Sequence, residues 1–232
     1  MKKDILGVKI DDLNMAETLS VVEKWIWNPG PHYIVTPNPE FVIAAQTDQL
    51  FKKILNSADL AIPDGVGLKL SGVKNTVSGT DLMKELVRLS AEKGFTVGFL
   101  GGKDGVAKKC AECLLRKYPN LKISYVSSGG IVDKNGNPSQ TTNYKLPPTD
   151  LLFVAFGHIK QEKWIASNLE NIPVKLAMGV GGAFDYLSGS VPRAPEWIRR
   201  LGFEWLFRLI VQPWRIRRQI ALLKYLWLIM VK

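Results

Sequence analysis

An α/β fold with a largely parallel sheet is predicted by three observations: six short apolar runs, helical spacing in segments between them, and polar or glycine-rich residues directly after most of the runs. The runs are HYIVT (32–36), ADLAI (58–62), FTVGFL (95–100), LKISYV (121–126), DLLFVAF (150–156) and VKLAMGV (174–180). DLMKELVRLSAEKG and GVAKKCAECLLRKY carry the helical periodicity. A Rossmann-like catalytic domain over residues 1–192, with helices flanking the sheet, is therefore expected. A basic, amphipathic helical appendage over 193–232 is expected to follow it. The 232 residues, 46% hydrophobic and 22% charged, suffice for a full core.

The chain begins MKKDILGVKIDD, where Asp4, Asp11 and Asp12 interrupt any apolar run, so no secretory signal is expected and the cytosol is the predicted compartment. Ligands of parallel sheets bind beyond the carboxyl ends of the strands, which directs attention to the residues after each run. After the first comes TPNPE. Asn38 is placed to cap a helix whose first residue is Pro39, with Glu40 in the first turn, so the helix N-terminus and the Asn38 amide would face the crevice. An oxygen-rich ligand suits such a corner, and so does an ordinary cap.

Asp64 follows the second run within IPDGVG, between a proline and two glycines. Held among apolar neighbours, its carboxylate would be desolvated and fit for general-base work. Accepting turn hydrogen bonds is the other reading of the same residue. After the third run, Gly101 and Gly102 precede a helix as in a phosphate-binding turn, without the GxGxxG spacing. The CxxC of Cys110 and Cys113 falls on a helical stretch and lacks the second pair that a zinc site needs. Residues 129–148 read as a long loop. Gly157 and His158 follow the fifth run. The last run leads into GVGGAFDYLSG, where Gly181 suits a close approach and Asp185 could meet a hydroxyl or an amide, though tight packing alone would also use such glycines.

The net charge of +10 is concentrated at the end of the chain. From Arg193 onward nine basic residues face only Glu196 and Glu204, and four of the seven tryptophans lie in the same segment. Basic residues mixed with aromatics suit an anionic membrane surface, with nucleic acid as the rival partner. Ile216, Ile220, Leu223, Trp227 and Met230 fall on one helical stripe, with Arg218 opposite. The apolar run 220–231 is interrupted by Lys224 and is shorter than the roughly 20 residues of a membrane span, so docking at the interface is expected. Packing of the stripe on the domain or on another subunit is the alternative. There is no DxD triplet and no cluster of metal-ligand spacing, and His32 and His158 lie far apart, so no metal is indicated.

TPNPE (36–40), DGVG (64–67), SGTDL (78–82), GHIKQEKWI (157–165), GVGGAFDYLSGSVPRAPEWIRRLGFEWLFRL (179–209) and QPWRIRR (212–218) stand in order over about 180 residues. Together they resemble the WecG/TagA/CpsF family of glycosyltransferases. The resemblance implies inverting transfer of a sugar from a UDP donor to a lipid-diphosphate-linked sugar, with neither metal nor cofactor. For TagA-type members it implies UDP-N-acetylmannosamine and undecaprenyl-diphosphate-linked N-acetylglucosamine, an early step of wall teichoic acid assembly. Carried over by motif, Asp64 becomes the base that deprotonates the acceptor hydroxyl, Thr36 and Asn38 line its pocket, and Gln161 contacts substrate. Arg208, Arg215 and Arg218 would close over the site at the membrane and meet the diphosphate; Gly101, Gly102, Gly181 and Asp185 are the candidates for contact with UDP.

The family commonly carries an arginine directly before the string that reads VSGTDL (77–82) here. Thr76 stands there in this chain, with Lys74 nearby as a point charge that lacks a bidentate fork. The donor sugar is therefore left open between UDP-ManNAc, its uronic acid and other UDP-hexoses. A nicotinamide oxidoreductase would want GxGxxG and an acid about 20 residues on, which none of the glycine clusters supplies. The expected partners are a UDP-sugar, a lipid-linked acceptor and the inner face of the plasma membrane, and no nucleic acid. Self-association is left open.

Overall fold

The computed structural model describes residues 2–28, 30–139 and 144–231, and the side chains of Arg217, Arg218 and Gln219 lie outside that description. Six strands form one parallel sheet in the order β4-β3-β8-β7-β5-β6. They are β3 (His32–Val35), β4 (Leu60–Ala61), β5 (Thr96–Gly101), β6 (Lys122–Ser127), β7 (Thr149–Ala155) and β8 (Val174–Gly179). Each corresponds to one apolar run of the sequence. The central strands lack polar alternation because helices cover both faces of the sheet. On one face Val22 and Ile26 of α1 (Met15–Trp27), Leu86 of α4 (Gly79–Lys93) and Cys110 of α5 (Val106–Lys117) join one core cluster. On the other, Phe41 of α2 (Pro39–Thr47), Phe51 of α3 (Gln49–Ser57) and Trp164 of α6 (Lys160–Asn168) join a second.

An element absent from the sequence expectations precedes the sheet. β1 (Lys2–Ile5) and β2 (Val8–Asp11) form an antiparallel hairpin. Its turn residues Leu6 and Gly7 both take positive φ, 52° and 81°, as a two-residue turn matched to strand twist requires. The hairpin fastens onto the two-residue edge strand β4, since the Ala61 N–H donates to the Asp11 carboxylate at 2.9 Å. That contact shields an edge otherwise open to further pairing.

β5 and β7 are neighbours whose onward helices, α5 and α6, pack on opposite faces. Their carboxyl ends therefore part to open a crevice. The chain closes with α7 (Ala183–Leu187), α8 (Glu196–Arg200), α9 (Glu204–Val211) and α10 (Ile216–Val231). α10 lies along α2 and over the turn that follows Asp64. Tyr225 is fully buried there and its hydroxyl meets Ser71 Oγ at 2.5 Å. A Cβ on Gly67 would approach Leu222 Cδ1 to 3.5 Å. The helix thus has two apolar stripes. Leu222, Tyr225, Leu226 and Ile229 face the domain, while Ile216, Ile220, Leu223, Trp227 and Met230 remain 52–77% exposed. Among the described residues no helix is long and apolar enough to cross a membrane.

Candidate active site

The corner after β3 is built as its residue types dictate. Asn38 takes extended backbone dihedrals, Pro39 occupies the first helical position, and the Asn38 side-chain oxygen accepts from the Phe41 N–H at 3.0 Å. The cap is therefore formed, and only the Asn38 amide NH2 is left to meet a ligand. Asn38→Ala is expected to lower stability by about 1 kcal/mol, the usual cost of losing such a cap, readable by urea denaturation.

Two backbone bonds set Asp64 at the sheet end: its N–H donates to the Pro37 carbonyl and the Val77 N–H donates to the Pro63 carbonyl, both at 2.8 Å. The residue keeps part of its surface open. Burial nonetheless pushes its carboxyl up to about 7; the Gly79 backbone N–H and Arg193 work against that rise, while Glu204 and Asp81 add to it. Gly79 opens α4 at the point of closest approach. A Cβ there would lie 3.1 Å from Thr36 Oγ1 and 3.6 Å from Asp64 Oδ2, which brings the buried Thr36 hydroxyl and the Asp64 carboxyl to the same side of one glycine. Such a carboxyl, pushed up toward neutrality at the open end of the sheet, can take a proton from an alcohol.

At the end of β5 the chain uses glycine for close approach to β7. Gly101 has a φ of 102°, and a Cβ on it would come within 2.8 Å of the Ala155 carbonyl carbon. The Gly102 N–H donates to the Ala155 carbonyl at 2.9 Å. Contact with the β7 backbone thus explains both glycines at least in part, and that N–H is already engaged. Ile159, a β-branched residue, takes a φ of 69° at the start of α6, a strained conformation at the crevice. Next to it His158 sits edge-on to Phe41, ring centroids 4.7 Å apart.

Gln161 is only 4% exposed. Its Oε1 accepts from the Gly181 N–H at 3.0 Å and its Nε2 donates to Glu162 Oε1 at 2.7 Å. In this state Gln161 is a brace for the glycine loop after β8. Glu162, not singled out by the sequence, is buried and its carboxyl is pushed up to about 7 by that burial. A Cβ on Gly179 would lie 2.6 Å from Glu162 Oε1 and 2.7 Å from Gln161 Nε2, so any side chain there would have to displace that pair.

The C-terminal helices bring cations to the same end. Arg208 of α9 lies against Gly182 and stacks over Tyr186, its guanidinium carbon 5.0 Å from the ring centroid. Its Nε is buried and has no hydrogen-bond partner among the described residues. Asp185 is held above its ordinary range by burial, against the pull of Arg208, Lys103 and Arg215. Arg208, Arg215 and Lys103 thus converge on the β8 glycine loop. Arg218 lies on α10, but its side chain is outside the described residues. Among the described residues no three His, Cys, Asp or Glu side chains gather as a metal site.

The largest polar cluster that sequence reasoning missed is an ion network at the opening of α4. Arg193 binds Asp81 through two bonds of 2.6 and 2.8 Å, Glu204 at 2.9 Å and Ser78 Oγ at 3.2 Å. Arg199 approaches Asp81 at 3.5 Å. Arg193 and Asp81 stand 112 residues apart, so no local pattern could pair them.

The chain matches the family described as "Glycosyl transferase WecG/TagA/CpsF family" over residues 3–232. It is 34% identical over 198 residues to a Bacillus subtilis (strain 168) protein named N-acetylglucosaminyldiphosphoundecaprenol N-acetyl-beta-D-mannosaminyltransferase, covering 83% of this chain and 76% of that one. A Staphylococcus aureus (strain MRSA252) protein of the same name is 30% identical over 225 residues, covering 94% and 87%.

Proposed function

The chain belongs to the WecG/TagA/CpsF family of glycosyl transferases, and on that premise we propose that it moves N-acetylmannosamine from UDP-ManNAc to undecaprenyl-diphosphate-linked N-acetylglucosamine. The names of its relatives support both sugar and acceptor. The observation that carries the mechanism is the Asp64 carboxyl, raised to about 7 and set with Thr36 against Gly79 at the sheet end.

Asp64 takes the proton of the acceptor hydroxyl as the oxygen bonds to the anomeric carbon. The bond from that carbon to UDP breaks on the opposite face, so the configuration inverts. The electron pair leaves with the diphosphate, whose charge Arg208 and Arg215 meet without a metal. Thr36 and Asn38 line the acceptor side. Gly181 and Asp185 lie by the arginines on the UDP side, with Gly101 and Gly102 across the crevice. The appendage, with its exposed stripe and excess positive charge, docks on anionic lipid at the inner face of the plasma membrane, where a lipid-linked acceptor resides.

UDP release from UDP-ManNAc with a soluble analogue of the lipid acceptor tests this reading. Turnover that persists in EDTA is the expected result. Thr76 in the place of the family arginine favours a second reading, in which another UDP-sugar is the donor. Release from that sugar, with none from UDP-ManNAc, would move the protein to a different branch of the family.

A further inference from the structure

We infer that Arg193 and Glu204 form a positioning strap that fastens the appendage to the first turn of α4 and thereby sets the charge environment of the base Asp64. This rests on the proposed role of Asp64 as base. The strap begins in geometry. Arg193 is the first residue of the appendage, and its guanidinium reaches both Ser78 and Asp81, the residues that flank Gly79 and Thr80 at the start of α4. Gly79 is the glycine against which Asp64 Oδ2 sits. The same guanidinium holds Glu204, in the first turn of α9, at 2.9 Å. α9 is the helix that carries Arg208.

One bidentate fork therefore joins the element beside the base to the helix that carries the leaving-group arginine. Arg193 and its acids are partly shielded from solvent. Their charges are consequently felt at Asp64 more strongly than exposed ones would be. The charged groups that act on Asp64 come from three elements: Asp81 of α4, Arg193 of the segment before α8, and Glu204 of α9. The two acids disfavour its ionised form and the guanidinium favours it. With the strap closed, Asp64 meets all three charges at once. Were the appendage to swing away, Arg193 and Glu204 would leave together.

The test separates placement of charge from mere stability, because two substitutions break the same ion pair yet act oppositely on the base. The acid limb of kcat/KM against pH reports the free enzyme's base. Glu204→Gln removes a negative charge and frees Arg193, so the limb should shift to lower pH. Arg193→Gln removes the positive charge and leaves Asp81 and Glu204 unneutralised, so the limb should shift to higher pH and kcat should fall. Arg193→Lys retains the charge, and its limb should stay nearer the wild-type position than that of Arg193→Gln. If Arg193→Gln fails to fold, Glu204→Gln and Arg193→Lys carry the comparison.

Shifts in the same direction for Glu204→Gln and Arg193→Gln, or no shift for Glu204→Gln, would overturn the strap's role. An acid limb that survives in Asp64→Asn would instead overturn Asp64 as the base, a failure distinguishable from the first.

Discussion

Asp64→Asn is expected to reduce UDP release by about 10²- to 10⁴-fold, the usual contribution of a positioned general base, while leaving the protein folded. Asparagine keeps the shape and the hydrogen-bonding reach of the side chain but accepts no proton. Burial disfavours the charge of this carboxyl and pushes it up to about 7 from its ordinary range. Wild-type turnover should accordingly fall as pH drops through about 7, where the base becomes protonated. That limb should vanish from whatever activity the variant retains.

The linkage has a sign that helps the experiment. A carboxyl whose folded pKa is raised binds its proton more tightly in the folded state, so ionising it at higher pH works against folding. At pH 8 the neutral asparagine escapes that cost, and the variant should melt at the same temperature as wild type or higher. Lost turnover with retained or increased thermal stability assigns the loss to chemistry. Near-wild-type turnover in the variant would remove Asp64 from the mechanism.

The contrast between Asp64 and Arg193 shows which parts of such a site a sequence displays. Burial of β3, β4, β5, β7 and β8 leaves the nearly continuous apolar runs that made them legible, whereas the edge strand β6 is only partly buried and its run is broken by Lys122 and Ser124. The strand-end rule then placed Thr36, Asn38, Asp64 and the glycine pairs at one end of the sheet. Helices α4 and α5 were legible from their spacing. The β1–β2 hairpin was not, since its strands are four residues each and carry charged residues on the exposed side. The ion network at α4 was invisible for a different reason: ion pairing over 112 residues depends on tertiary packing, and Arg193 alone reads as one more basic residue of a basic tail. Gln161 exposes another limit, because its residue type fits ligand contact and an internal brace equally well. Its two hydrogen bonds, to Gly181 and Glu162, give it the second role in the structure. Even α10 was only half legible. Its exposed stripe stood out at helical spacing, while the stripe through Leu222, Tyr225 and Ile229 gained its meaning only from the surface of α2 beneath it.

That second stripe sharpens the remaining prediction. Because one face of α10 already packs on α2, substitutions on the other face should leave the fold intact, so Leu223 and Trp227 can be changed without disturbing the core. Each such side chain contributes about 1.5–3 kcal/mol when it leaves water, and a charge in its place opposes insertion further. The double variant Leu223→Glu/Trp227→Glu is therefore expected to lose binding to anionic vesicles by at least about 100-fold in a flotation assay, with its melting temperature little changed. Binding by the wild type should weaken with salt and on neutral lipid, because the tail's excess positive charge contributes through a screened field. Nucleic acid would show the steep salt dependence without needing lipid or these two apolar residues. Self-association through the stripe would instead appear as a change of oligomeric state in the double variant. Unchanged vesicle binding would sink the docking of α10. Its loss would place the bilayer on one side of α10 and the turn after Asp64 on the other, so that an acceptor anchored in lipid has only the thickness of this helix between its membrane and the base.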